Sequence, residues 1–230
     1  MSKIIDSQLS IYQNHFKAHG DTPEGTYNQN EAIQDLRFQR LIKQFTQQDS
    51  EYSIHDVGCG ICDLHQYLIN NELKLVYSGT DIVPEMKKLA VEKFPKIDFK
   101  VRDIIEDDTS NEQYDFLVLA GTFNIPGDCA LNDWVSFTNE MIRKMFSMAK
   151  LGISFNFLTT NADFFHPDMY YRNPYDVFDF CSKHLSRHIV IDQAYPLYEY
   201  TVTVFSEEYM LEIHTDPKFK KYMKSYKTNV

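Results

Sequence analysis

The fold of this 230-residue chain is decided by residues 54–63, which read Ile-His-Asp-Val-Gly-Cys-Gly-Ile-Cys-Asp. The beginning of this stretch predicts a buried strand, and its end predicts the start of a helix. Gly58 and Gly60 lie between the two, where a missing Cβ permits a tight turn and lets a ligand approach the main chain. The helix would direct its unpaired N–H groups and positive dipole end at that turn. The stretch therefore predicts a strand–turn–helix unit that binds a nucleotide-like ligand.

Two classes of ligand use such a turn. Dinucleotide sites have the pattern G-x-G-x-x-G, in which the third glycine lets the helix pack closely on the strand. Counted from Gly58, the third position is Asp63, a charged residue. An NAD-type oxidoreductase is therefore disfavoured, although it stays open as an alternative.

The acidic residue Asp56 and the run Asp-Val-Gly-Cys-Gly resemble motif I of the class I S-adenosylmethionine (SAM) methyltransferases. That motif is roughly acidic-x-G-x-G-x-G, and Cys62 stands here in place of its third glycine. Three further stretches are similar to motifs of the same family. They are residues 79–86, similar to G-x-D-h-x-x-x-M; residues 102–104, similar to the adenine-side acidic position; and residues 114–124, similar to motif IV. The likeness covers roughly residues 35–206.

The resemblance implies a cofactor site for SAM, with S-adenosylhomocysteine (SAH) as its product. Asp81 ends the second predicted strand, 21 residues after Gly60, where a carboxylate can accept both ribose hydroxyls. Arg37 and Arg40 share one face of the second predicted helix, and one of them, Arg37 in the predicted set, is expected to reach the SAM carboxylate. A solvated helix face is an equally good interpretation. The complete set of expected cofactor-binding residues is Asp56, Gly58, Cys59, Gly60, Asp81, Ile82, Met86, Asp103, Ile104, Ala120, Gly121 and Arg37.

The hydrophobic pattern predicts alternating strands and helices after residue 50, and hence a three-layer α/β fold. Strands are predicted at 54–57, 75–81, 97–102, 114–120 and 152–158, with a final hairpin of 188–194 and 198–205. Helices are predicted at 4–12, 32–42, 61–70, 84–94, 131–149 and 173–184. A terminal antiparallel hairpin is what the methyltransferase fold has. The predicted architecture is thus a Rossmann-like, mostly parallel seven-stranded sheet with a C-terminal antiparallel hairpin.

This pattern predicts three parts of the chain. Residues 1–50 form an N-terminal helical lid segment, residues 51–206 the SAM-binding domain, and residues 207–230 a polar C-terminal helix or tail.

Composition narrows the class of partner. The formal charge of −10 repels a phosphate backbone, which disfavours nonspecific binding of nucleic acid. Cys59-x-x-Cys62 lacks a second pair of ligands at zinc-site spacing, so no metal site is predicted. No stretch has the ~20 apolar residues of a membrane span or the core of a signal peptide. We expect a cytoplasmic protein with reduced thiols that acts on a small molecule.

The acceptor pocket is expected beyond the fifth strand, in the aromatic loop 161–171, because ligands of α/β sheets sit outside the carboxyl ends of strands. His166 in this loop is the candidate catalytic residue, as a general base for a hydroxyl, with Asp163 or Asp168 to orient it. An exposed loop histidine without function is an equally good interpretation. O-methylation of a sugar or secondary metabolite is the predicted reaction. N-methylation, a tRNA or protein acceptor, and a SAM-fold protein without transferase activity remain alternatives.

Overall fold

The computed structural model describes residues 2–22, 25, 30–46 and 51–223. Its strands are β1 (Ser53–Val57), β2 (Val76–Asp81), β3 (Asp98–Val101), β4 (Tyr114–Leu119), β5 (Ala149–Thr159), β6 (Tyr171–Arg172), β7 (His188–Asp192) and β8 (Glu199–Phe205). Its α-helices are α1 (Ser2–His19), α2 (Glu31–Ile42), α3 (Asp63–Asn70), α4 (Pro84–Lys93), α5 (Leu131–Met148), α6 (Pro174–His184) and α7 (Glu207–Ile213). A 3₁₀ helix follows at Pro217–Tyr222.

The strands form one sheet in the order β3-β2-β1-β4-β5-β8-β7, and β6 pairs with the end of β5. Strands β1 to β5 are parallel to their neighbours, whereas β8 is antiparallel to both β5 and β7. The order reverses between β1 and β4, which makes the carboxyl ends of these two strands the switch point of the sheet. Ligands of open α/β sheets bind in the crevice at such a point.

Each face of the sheet is covered by helices. Residues of α5 and α6 pack on one face around the buried Trp134 and Val177. Residues of α2, α3 and α7 pack on the other face around Leu41, Leu64 and Tyr209. Strands β2 and β3 extend the sheet from β1 in one direction, and β4 and β5 extend it in the other. Because connections between parallel strands are right-handed, the connecting helices of the two halves lie on opposite faces. Strand β4 is covered on both sides, as its run of apolar residues predicts.

The predicted architecture is confirmed, with small differences at the ends of elements. Helix α3 begins two residues later than the pattern indicated, because Cys62 has left-handed backbone with φ of 65° and cannot continue a helix. The two-residue strand β6 was not predicted; it is too short to show a period. The predicted segment boundaries at 50 and 206 stay predictions, and residues 47–50 and 224–230 lie outside the described residues. Within the described chain, the helices are too short or too polar to span a bilayer.

Candidate active site

A cavity of about 880 Å³ opens at the carboxyl ends of the parallel strands. Its floor is formed by the residues that follow β1, β2, β3 and β4, by the end of β5 and by the start of β8, while α1 and α2 cover it. The volume is at the upper end of the range for small-molecule sites. All thirteen residues predicted for the cofactor and for catalysis line this one cavity. The sequence motifs, which span 130 positions from 37 to 166, therefore converge on a single place.

The turn after β1 is fixed from both sides. The Gly58 and Cys59 N–H groups donate to the carbonyl oxygen of Thr80, at 2.8 and 3.1 Å. Gly58 and Gly60 both have positive φ, at 72° and 54°, a region that favours glycine. A Cβ added to Gly58 would lie 2.4 Å from Oγ1 of Thr122. Glycine is therefore required at position 58 both for its conformation and for its size.

Asp81 lies beneath this turn at the end of β2. Its Oδ2 accepts from the Gly60 N–H at 2.9 Å, and its Oδ1 accepts from the Val83 N–H at 2.8 Å. Burial raises the pKa of Asp81, and the N–H donors offset part of that rise. Each carboxylate oxygen keeps a second lone pair, so the side chain can accept two further donors from the cavity.

Asp56 lies deeper, behind the turn. Its Oδ2 accepts from the Tyr77 hydroxyl at 2.9 Å, and its Oδ1 is buried without a hydrogen-bond partner among the described residues. Burial raises the pKa of Asp56 to about 8. The Oδ1 atom is therefore open to a hydrogen-bond partner from a ligand, and a cationic group placed beside it would favour the ionised form of the carboxyl group.

Two cysteines complete the turn. Cys59 lies between the glycines and is buried, and this burial raises the pKa of its thiol. Cys62 takes the place of the third glycine of motif I and has the left-handed conformation that glycine would adopt, with φ of 65°. Both thiols are free. Cys62 thus holds in this chain a backbone conformation that favours glycine.

One end of the cavity, beyond β2 and β3, combines apolar side chains with the Asp103 carboxyl group and with Arg102, whose guanidinium is paired with Glu112. Asp103 accepts from the Ile105 N–H at 2.9 Å through Oδ1, and its Oδ2 is buried without a partner in the described part of the chain. Ile104 is buried beside it. Ile82 and Met86 form a small hydrophobic cluster with residues of α1. This end suits a flat heteroaromatic group that carries a hydrogen-bond donor.

A chain of hydrogen bonds links the end of β4 to helix α2. The Gly121 N–H, next to Ala120, donates to Oδ1 of Asn156 at 2.7 Å. The Asn156 amide donates in turn to Oε2 of Glu199, also at 2.7 Å. Arg37 donates to the same Oε2 from Nε at 2.9 Å, and its terminal nitrogen pairs with Oε1. The guanidinium that was expected to reach a ligand carboxylate is therefore held by Glu199 at the wall of the cavity.

His166 lies at the rim. Its side chain is 57% exposed, and its Nδ1 accepts from the Asp168 N–H at 3.3 Å. The Asp168 carboxylate is 3.9 Å from the same nitrogen. Nearby, the Tyr198 hydroxyl donates to Asp163 at 2.7 Å, and Phe164 packs edge-on against Tyr198. The rim thus combines aromatic rings with one imidazole whose Nε2 is available to a ligand.

Several polar residues of the cavity carried no recognisable signal in the sequence. Gln34 of α2 donates to Asp63 at 2.8 Å. Asp63, which stands where a dinucleotide site has its third glycine, therefore helps to hold α2 over the cavity. Gln8 of α1 donates to the Ile125 carbonyl at 3.0 Å. Asn156 could have been noticed as a polar residue within the apolar run of β5.

The chain is similar to known methyltransferases. It is 30% identical over 158 residues, 66% of this chain and 92% of the relative, to a Mycobacterium tuberculosis protein named "Putative methyltransferase Rv1506c". A scan against protein-family models found no match.

The chain is also similar in fold to solved structures, among them two methyltransferases and an SAH complex. The magnesium protoporphyrin IX methyltransferase of Synechocystis PCC 6803 with bound SAH has a TM-score of 0.60 and 15% identity, covering 86% of this chain and 99% of its own. The DhpI–SAH complex has a TM-score of 0.62 and 16% identity, over 88% of this chain and 97% of its own. The N-methyltransferase NodS from Bradyrhizobium japonicum, in complex with SAH, has a TM-score of 0.57 and 13% identity, over 86% of this chain and 97% of its own.

Proposed function

Because this chain belongs to the class I SAM-dependent methyltransferases, we propose that it transfers the methyl group of SAM to a hydroxyl of a small-molecule acceptor. The observation that carries the proposal is the convergence of Asp81 and the Gly58–Gly60 turn with the partly unpartnered carboxyl groups Asp56 and Asp103 in one cavity. Two of these carboxyl groups have a buried oxygen without a partner, as expected where a ligand supplies the missing donors.

The strand order supports a direction for the cofactor along the sheet. Asp103 follows β3, Asp81 ends β2, the glycine turn follows β1, and Gly121 follows β4. We propose that the adenine lies at Asp103 and Ile104, the ribose on Asp81, and the amino-acid end between the turn and Gly121. The acceptor then occupies the remaining space between β4, β5 and the start of β8.

The charge of the cavity favours SAM over NAD. Its described lining has two guanidinium groups, Arg37 and Arg102, and five acidic side chains, Asp56, Asp63, Asp81, Asp103 and Glu199. Asp56, whose pKa burial raises to about 8, is left out of the charge balance, which then sets four carboxylates against two guanidinium groups. Each guanidinium is paired with a glutamate, Arg37 with Glu199 and Arg102 with Glu112. A cavity with an excess of carboxylates attracts a ligand with net positive charge and repels a pyrophosphate. SAM carries a sulfonium and an ammonium group, whereas NAD carries two phosphates.

The residues of this chain contribute positioning more than covalent chemistry. When bound, SAM supplies a methyl group on a positively charged sulfur, which is a good leaving group. Asp81 would hold the ribose, and the turn would bring its backbone N–H groups against the ligand. The aromatic rim would exclude water and align the acceptor oxygen with the methyl group. For a hydroxyl acceptor, a base must also remove the proton, and we propose His166 for this step. The nitrogen that takes the proton would be Nδ1, which accepts weakly from the Asp168 N–H at 3.3 Å in the ligand-free protein and would release that contact, because the neutral ring then carries its hydrogen on Nε2.

We expect SAM to raise the melting temperature of the protein and NAD to leave it unchanged. A ligand present at about 100 times its Kd adds about 2.7 kcal/mol to the native state, which a thermal-shift assay resolves. SAH serves as a second positive ligand, since it has the same adenosine and amino-acid groups. Stabilisation by NAD but not by SAM would contradict the proposed cofactor.

We expect His166→Ala to lower the turnover number by about 10²–10⁴-fold while SAM affinity changes little, because general-base catalysis contributes factors of this size. The test is steady-state kinetics with a hydroxyl acceptor identified by SAH release. Asp168→Asn is the matched variant; it removes the charge beside the imidazole but keeps the backbone N–H that contacts Nδ1. Unchanged turnover in His166→Ala would show that this exposed histidine has no part in catalysis.

A further inference from the structure

Glu199 joins two parts of the cavity that are far apart in the sequence. We propose that Glu199 is a positioning residue. It holds helix α2 and the turn at Gly121 in fixed positions relative to each other, and so sets the geometry of the pocket for the cofactor's amino-acid end. It acts through Arg37 on one side and Asn156 on the other. The inference rests on the proposed function, because the ligand in question is SAM or SAH.

The contacts that carry this inference are buried. The side chain of Glu199 is 5% exposed and that of Arg37 12% exposed, and Asn156 is fully buried. Glu199 accepts three described hydrogen bonds, two of them on Oε2. Hydrogen bonds between charged partners are shorter and stronger than those between neutral ones, and a buried pair fixes geometry that a surface pair does not.

The topology places Glu199 beside the reacting end of the cofactor. It is the first residue of β8 and pairs with Leu158, near the carboxyl end of β5. Strand β8 is antiparallel, so its first residue, and not its last, reaches the cavity. Asn156, on β5, bridges from there to the Gly121 N–H at the end of β4. Glu199 thus holds a backbone group on the β4 side and a side chain of α2 at the same time.

Glutamine cannot replace this carboxylate. Three donors converge on the two oxygens of Glu199, whereas a glutamine at this position offers one oxygen and an NH₂ group that is itself a donor. In Glu199→Gln, Arg37 or Asn156 therefore loses its acceptor. If Arg37 loses it, the guanidinium is no longer held in the place from which it can reach a ligand carboxylate. If Asn156 loses it, the side chain that accepts from the Gly121 N–H is no longer fixed.

The chain offers a matched control on the same helix. Arg40, also on α2, contacts Asp192 of β7 at 3.3 Å. This pair also ties α2 to the C-terminal hairpin, but neither residue lines the cavity. Asp192→Asn therefore weakens the docking of α2 without touching the hydrogen bonds of Glu199.

The experiment compares two ligands by calorimetry. SAH has an amino-acid end, and 5′-deoxy-5′-methylthioadenosine has the same adenosine and sulfur without it. We expect Glu199→Gln to lower the affinity for SAH at least tenfold and to change the affinity for methylthioadenosine by less than threefold. Asp192→Asn is expected to leave both affinities within threefold of the wild type. If Glu199 contributed only to the stability of the fold, Glu199→Gln would lower the affinity for both ligands to the same extent.

The double variant Arg37→Gln/Glu199→Gln provides a second measurement if the single variant does not fold, since it buries no unpaired charge. The same selective loss of SAH affinity is expected. Equal loss of both ligands, or no loss of either, would overturn the inference and leave the proposed function in place. Wild-type protein that binds neither ligand would instead overturn the proposed function, and the inference with it.

Discussion

Gly58→Ala is expected to abolish measurable SAM binding and to lower the melting temperature on the order of 10 °C. A residue with a Cβ at φ of 72° pays about 1–2 kcal/mol for the left-handed conformation. The new methyl group would also lie 2.4 Å from Oγ1 of Thr122, so one of the two segments must move. Crowding of this kind costs about 1–3 kcal/mol in addition. The displaced turn would no longer present its N–H groups to the ligand.

Differential scanning calorimetry and SAM titration measure these two effects, and two further variants separate their causes. Gly20 has φ of 63° with nothing within 4 Å of an added Cβ, so Gly20→Ala reports the conformational part alone. Gly58→Ala combined with Thr122→Ala removes the closest clash and should recover part of the stability. If Gly58→Ala binds SAM as well as the wild type does, the turn is not the cofactor site.

Asp81→Ala is expected to raise the Kd for SAM about hundredfold while the protein stays folded. Each charge-assisted hydrogen bond to the carboxylate contributes about 1.5–3 kcal/mol, and the ribose offers two hydroxyl donors. The substitution also removes the acceptor for the Gly60 and Val83 N–H groups, so the turn becomes less ordered as well. Both consequences act in the same direction on affinity.

Calorimetry on the purified variant measures this change, with circular dichroism to show that the fold is kept. Asp98→Ala is a suitable control, because Asp98 is an exposed carboxylate at the opposite end of the neighbouring strand β3. Asp81→Asn keeps the size of the side chain and tests the charge separately. SAM affinity that is the same in Asp81→Ala and in the wild type would refute the ribose assignment.

The cofactor half of the site could be predicted from the sequence because it is built from local units. Each of its positions lies immediately after a strand, and the pattern of a strand, a turn and a helix can be recognised within about 30 residues. Gly58, Gly60 and Asp81 need no knowledge of distant residues. Parallel strands bring their carboxyl ends to one edge, so their convergence follows once the strands are identified.

The parts of the site on α2, on β8 and in the loop after β5 depend on pairs that no local pattern reveals. Arg37 and Glu199 are 162 positions apart, and neither has a neighbour in sequence that indicates the other. Arg37 could be assigned to one face of an amphipathic helix, but the partner of that face is set by the packing of α2 on the sheet. His166 could be placed in a loop after β5, but its exposure and its contact with the Asp168 N–H depend on the loop conformation.

The antiparallel direction of β8 has a consequence for the evolution of this enzyme. The connection between β7 and β8 arrives at the cavity, and residues 195–198 of it line the acceptor side. A surface loop of this kind can be lengthened, shortened or exchanged while every backbone pair of β8 with its two neighbours is kept. Asp81 and Asp103, which we propose to hold the ribose and the adenine, lie on the far side of β1 and are untouched by such an exchange. The acceptor specificity can thus change through substitutions in one short segment, while the residues proposed to bind SAM stay the same.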